Sequence, residues 1–165
     1  AKAGEGVKTS LDDTITKRYE PIAKSYDELE AKFGTAVVVP ETRETAIGQL
    51  QQLIVDQGLL KSKAAQPMLK IVADAMEDLP SQANAQNLRL LAKNIKDANK
   101  YNTPGYQVAK KTAAIITEAM DSTLAQAADG AGLGAAFKAT QSEYRGLRTM
   151  LEDCESSRRS CFDSL

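Results

Sequence analysis

Apolar residues at Val7, Leu11, Ile15, Tyr19, Ile22, Tyr26, Leu29 and Phe33 recur in steps of three or four without a break. That spacing places all of them on one face of an α-helix and would scatter them over both faces of a strand. The pattern therefore predicts one long amphipathic helix over about residues 9–33, and a greasy stripe of that length has to be covered by another element. The same spacing returns near the other end in Phe137, Tyr144, Leu147, Leu151, Cys154 and Cys161. The two terminal segments, 1–34 and 135–165, are thus expected to form long helices that pair with each other around a central region, 42–129.

Punctuation along the chain divides it further. Ser10 stands three residues before Asp13 in the capping-box arrangement, and Pro21 predicts a bend near Lys17 because it removes a backbone donor. Gly34 is expected to close the first helix in the left-handed conformation. Val37-Val38-Val39-Pro40 reads as an extended connector that plugs the core, the alternative being an exposed edge that adds to a neighbouring subunit. A second helix is predicted from Thr42, carrying Ala46, Ile47, Leu50, Leu53 and Ile54, and stopping near Gly58. A third carries Met68, Ile71, Val72, Ala75, Met76 and Leu79 between Pro67 and Pro80. Ser81 or Asn84 would cap a fourth bearing Leu88, Leu91, Ala92 and Ile95, which Asn99-Lys100-Tyr101-Asn102 breaks. Thr103-Pro104 signals the start of a fifth, with Val108, Ala109, Ala113, Ile116, Met120 and Leu124, fading near Asp129. Gly130, Gly132 and Gly134 separate it from the last. The expected fold is all-α: one domain over 1–165, an antiparallel up-and-down bundle of about six helices.

Composition narrows the chemistry. With 165 residues and 42% apolar side chains the chain can build one core, but it holds no Trp and only three Phe and five Tyr, so small aliphatic residues must supply most of it. Twenty-one Lys plus Arg against 22 Asp plus Glu leave a net charge of −1, which gives little electrostatic support to nucleic acid as a partner. Histidine is absent, removing the commonest acid–base group near neutral pH and the commonest catalytic metal ligand. No window has the roughly 20 apolar residues of a membrane span, and the first ten residues lack the apolar region of a signal peptide. Cys154 and Cys161, seven apart on a helix, are separated by about 10 Å of rise and are expected to pack as core residues or bridge between chains, not to pair within the helix.

Each remaining chemical signal has a structural explanation. The glycines from Gly130 to Gly134 lack the strand and the spacing of a nucleotide loop and suit a helix–helix turn. Asp12-Asp13 and Glu152-Asp153 point about 100° apart and suit a solvated surface. Glu118 and Asp121 could meet at i, i+3 as a carboxylate pair, but no nucleophile accompanies them. Lys110-Lys111 and the group Arg145, Arg148, Arg158 and Arg159 are the basic clusters, the second lying beside Tyr144 and expected to be neutralised by Glu143, Glu152, Asp153 and Glu155 on its own helix. No catalytic, cofactor-binding or metal-ligating residue is assigned, and no cofactor.

Three sets of residues carry a resemblance: Ala3-Gly4-Glu5-Gly6-Val7 with Tyr19, Ser25 and Tyr26; Asn87-Leu88-Arg89-Leu90-Leu91 with Ile95; and Phe137-Lys138-Ala139 with Ser142-Glu143-Tyr144-Arg145-Gly146-Leu147-Arg148. In their order, together with the valine connector, the chain resembles helical segments of the internal, DNA-ejection virion proteins of tailed bacteriophages and prophages. The resemblance implies a non-enzymatic structural or assembly protein, located in the phage particle or in the host cytoplasm during assembly. Its implied partners are copies of itself or neighbouring virion proteins, and no catalytic residue is carried over. Two other classes fit the same helices: a helical accessory domain of a longer virion-associated cell-wall-degrading enzyme, and a cytoplasmic regulatory bundle holding an apolar ligand in a cavity lined by Met68, Met76 and Met120.

Overall fold

The computed structural model describes the backbone of residues 2–79 and 81–156 and the side chains of residues 17–79 and 81–151. It is all-helical, with α1 Lys2–Phe33, α2 Pro40–Asp56, α3 Gln66–Glu77, α4 Ala85–Ala98, α5 Tyr106–Gly130 and α6 Gly134–Ser156, plus a single 3-10 turn, Lys63–Ala65. Among the described residues the extended backbone amounts to one isolated antiparallel bridge, Val37 to Asn84.

α5 is the hub, touching each of the other helices except α1 broadly and α1 more lightly. It can be approached so closely because the residues it buries are mostly small, among them Ala109, Ala113, Ala119 and Ala128. Its two buried threonines satisfy their hydroxyls internally: Thr112 Oγ1 donates to the Val108 carbonyl at 2.8 Å and Thr123 Oγ1 to that of Ala119 at 2.9 Å. Larger side chains from the surrounding helices, Leu50, Val72, Leu88 and Phe137, complete the core against Ile116 and Leu124.

The paired terminal helices are present. α1 and α6 interleave their aromatic rings in the order Tyr19, Tyr144, Tyr26, Phe137, Phe33, so the residue number rises along α1 while it falls along α6 and the two run in opposite directions. On α1 these rings recur every seven residues, the seam of a coiled coil.

Several local expectations are revised. α1 begins at Lys2, so Ser10 lies inside it and not at its cap; Pro21 lies within the helix, where the sequence placed it. Gly34 does not adopt positive φ. It is needed for room: a Cβ there would lie 2.7 Å from the Glu30 carbonyl oxygen and 2.8 Å from Cγ of Gln86. The crowding arises because the connector after α1 pairs with the turn before α4. Val38 N–H donates to Ala83 O at 2.8 Å, Ala85 N–H to Ala36 O at 3.0 Å and Gln86 N–H to Gly34 O at 3.0 Å. Val38 is buried while Val37 and Val39 face outward, so the connector both plugs the core and spends this edge on its own chain.

α2 takes Pro40 as its first residue and ends before Gly58, whose φ of 62° needs glycine. Of the two proposed caps for α4, Asn84 is the one used, exchanging hydrogen bonds with Asn87 in a capping box. Thr103 does not cap α5, which starts at Tyr106 behind Gly105; its hydroxyl donates to the Lys100 carbonyl at 2.7 Å and closes the preceding turn. Arg43 of α2 donates two hydrogen bonds to the Leu79 carbonyl, 3.1 and 2.9 Å, tying α2 to the chain leaving α3. Cys161 and the side chain of Cys154 lie outside the described residues, as do Pro80, Arg158 and Arg159 and the side chains of Asp12, Asp13, Glu152, Asp153 and Glu155.

Candidate functional site

Where α1, α5 and α6 meet, three polar side chains form a closed network. Arg145 Nε donates to Asp121 Oδ2 at 2.8 Å and its Nη2 to Oδ1 at 2.9 Å, a two-pronged guanidinium–carboxylate pair. The Tyr26 hydroxyl donates to Asp121 Oδ1 at 2.9 Å and accepts from Arg145 Nη2 at 2.8 Å. Gln141 Nε2 donates to the Asp121 backbone carbonyl at 2.9 Å. The rings of Tyr26 and Tyr144 stack with centroids 4.2 Å apart, and the Arg145 guanidinium lies 5.1 and 5.0 Å from their respective centroids, within cation–π range.

This environment fixes protonation. Burial, then the adjacent Asp121 carboxylate, pushes the Tyr26 phenol far above its ordinary range, so it remains a donor. Burial likewise pushes Tyr144 up to about 12. Burial works against the charge of Arg145, but the hydrogen bonds and charge of Asp121 outweigh it and hold the guanidinium above its ordinary value. A carboxylate so held by a permanent cation and a phenol fastens α1, α5 and α6 to one another.

Beside the network a cleft of about 350 Å³ opens between α4 and α6, with α1 and α5 behind it. Glu30 lies in its wall, its side chain only 4% exposed, with Oε1 3.2 Å from Arg89 Nη1 yet outside hydrogen-bonding geometry. Burial raises the Glu30 pKa above its usual value and Asp27 adds to this, while Arg89 and Arg145 oppose it. A second, smaller groove of about 200 Å³ between α2 and α5 is lined by Glu41, Thr45, Glu118 and Ser122.

The residues singled out in the sequence fall as follows. Glu118 and Asp121 do not act as a pair: Glu118 lines the α2–α5 groove, whereas Asp121 turns to Arg145 and Tyr26. Arg145 pairs with Asp121 on α5. Arg148 reaches the Tyr19 hydroxyl at 3.4 Å. Lys110 and Lys111 are exposed on α5. Gly130 to Gly134 form the turn between α5 and α6, in which Leu133 N–H donates to Ala128 O at 2.8 Å. Met120 reaches the floor of the charged cleft, but Met68 and Met76 pack against the core from α3 and do not share that lining. Among the described residues no group of His, Cys, Asp and Glu could hold a metal ion, and no helix is long and apolar enough to cross a membrane. Glu30, Lys93 and Lys96 were not singled out in the sequence, and Arg89 entered it only among the residues that carry the resemblance. The spacing of the three cations, i, i+4 and i+7, was the available signal for one charged face. No family model, no curated protein and no solved structure matches this chain.

Proposed function

We propose that this chain is a non-enzymatic structural module that works through helix-mediated contacts with copies of itself or with neighbouring structural proteins. The observation that carries this is the length of α1. Its aromatic seam with α6 includes Tyr19, Tyr26 and Phe33, and the helix itself begins at Lys2. Seventeen residues precede Tyr19 in it, about 25 Å of helix at 1.5 Å per residue, and their sequence continues the apolar stripe through Val7, Leu11 and Ile15. A stripe of that kind is the usual material of helix pairing between chains. The resemblance to internal virion proteins of tailed phages supports a particle as the setting, and a fastener such as Arg145–Asp121–Tyr26 suits a part that must keep its shape under load.

Sedimentation velocity of the intact chain from about 1 to 100 μM, a range that brackets ordinary protein–protein affinities, tests this together with cross-linking in the source particle. The expected result is reversible self-association or a cross-link from α1 to a structural neighbour. A strict monomer across that range, with no cross-linked partner, would contradict it.

A further inference from the structure

Among the described residues one carboxylate is buried, Glu30, in the wall of the cleft that α4 and α6 border. Its Oε1 has no hydrogen bond, although Arg89 Nη1 stands 3.2 Å away. An ion out of water is stable only where its neighbours replace the lost hydration, and around Glu30 they do so incompletely. On α4, Arg89 is 63% exposed, so water screens its pull, while Lys93, Lys96 and Asp97 are exposed further along the helix. On α6, Arg145 is committed to Asp121 of α5 by two hydrogen bonds, and Arg148 is exposed and reaches Tyr19. Lys96 and Arg148 each hold a further interaction, so neither is a spare cation for Glu30. The phenols of Tyr26 and Tyr144 are neutral, and α5 adds the uncharged Thr117 and Met120. On α1 itself the exposed Asp27 stands three residues before Glu30 and repels it. The acids near the end of α6 begin at Glu152, about 22 Å of helix beyond Phe137 and well past the screening length at physiological salt.

We infer that Glu30 is a proton-operated contact between α1 and α4: ionised, it holds Arg89 across the cleft while carrying an under-compensated charge, and on taking a proton from solvent it releases Arg89 and becomes a neutral side chain that the core accepts more readily. Mild acid thereby strengthens the seating of α1. The balance of influences agrees with the geometry. Burial, the largest of them, raises the Glu30 carboxyl above its usual value, Arg89 opposes this, Asp27 adds to it and Arg145 opposes it again. The folded chain therefore binds this proton more tightly than the unfolded chain does. The resulting stability is fully present below the ordinary value of 4.5 and is lost as the pH rises through the raised folded value. The chain has no histidine, the side chain that ordinarily answers between pH 5 and 8, which leaves a displaced carboxyl to do so.

Urea unfolding of the intact chain and of Glu30→Gln, which copies the shape of the protonated side chain, tests this between about pH 8 and pH 4. At the upper end Glu30→Gln is expected to unfold at a higher urea midpoint than the unaltered chain. The gap is expected to narrow as the pH falls and to be nearly closed at the lower end, where both chains carry a neutral side chain. Glu28→Gln removes an exposed carboxylate two positions away and is expected to show no such pH-dependent gap, which separates the effect from a change in net charge. Carbon-13 titration of the Glu30 carboxyl in the folded, unaltered chain reads the same proton without a substitution at that site, and its transition is expected above 4.5. Arg89→Gln removes the strongest opposing attraction and is expected to move that transition higher still. A gap between Glu30→Gln and the unaltered chain that is absent or constant with pH, or a Glu30 transition at or below 4.5, would overturn the proton-operated contact. A transition that Arg89→Gln leaves in place would overturn the part given to Arg89.

Discussion

Phe137→Ala is expected to destabilise the protein by about 4 kcal/mol, the range found when a fully buried aromatic ring is truncated in a core that cannot collapse around the gap. Phe137 has no exposed surface, and it stands where three elements meet. Phe33 of α1 meets it edge-on with centroids 6.3 Å apart, Tyr26 tilts against it at 6.4 Å, and its helix lies on α5. Tyr26 is kept from moving into the space because it is pinned through its hydroxyl to Asp121 and Arg145. For a chain of this length the loss corresponds to a fall in melting temperature of roughly 8–16 °C, readable by circular dichroism. Phe137→Leu keeps most of the volume and is expected to cost about 1–1.5 kcal/mol. A loss below about 1 kcal/mol in the alanine variant would mean that α6 is not seated on α1 as described.

Arg145→Met is the second large effect, expected at about 2–3 kcal/mol. The substitution keeps apolar bulk against Tyr26 and Tyr144 but strands the Asp121 carboxylate, of which only 19% of the side chain is exposed, with the Tyr26 hydroxyl as its remaining side-chain partner among the described residues. The partial exposure of Arg145, 31%, keeps the figure below that of a fully buried ion pair. Urea unfolding checks it, with a shifted midpoint and an unchanged slope as the expected result. Adding Asp121→Leu to Arg145→Met should recover part of the loss, since removing both charges leaves none unpaired. A double variant less stable than the single one by the full cost of a second independent lesion would show that the two residues are not coupled.

These residues also mark the limit of what the chain discloses when taken in order. Helical periodicity is a local property, so the stripes that became α1 to α6 could be traced from neighbours three and four apart, and Asn84, Pro40 and Gly58 are punctuation whose chemistry is local too. Tyr26, Asp121 and Arg145 are different. They lie 95 and 24 residues apart along the chain, and nothing near Asp121 distinguishes it from Glu118, three positions earlier. Only the packing of α1 and α6 on α5 decides which carboxylate turns inward. Gly34 is a partly similar case: its position after a long helix suggested a left-handed cap, but the need is for room, since a Cβ would meet the Glu30 carbonyl oxygen and also the Gln86 side chain, fifty-two residues further on. The cleft was missed because its cations are divided between two helices, and each helix alone looks like an ordinary solvated face. Glu30 stands four residues after Tyr26 and three before Phe33, so helical spacing alone puts it on the apolar face where it is buried.

The central claim is that α1 and α6 are joined in one register, with Phe33 beside Phe137, and spin-label distances test it most directly. In a Cys154→Ser/Cys161→Ser background, labels at the exposed positions Lys32 and Lys138 sit beside the Phe33–Phe137 contact, whereas Thr149 lies on the order of 16 Å further along α6. The account predicts a short distance for the pair 32/138 and a clearly longer one for 32/149. The reverse order, or equal distances for both pairs, would contradict it.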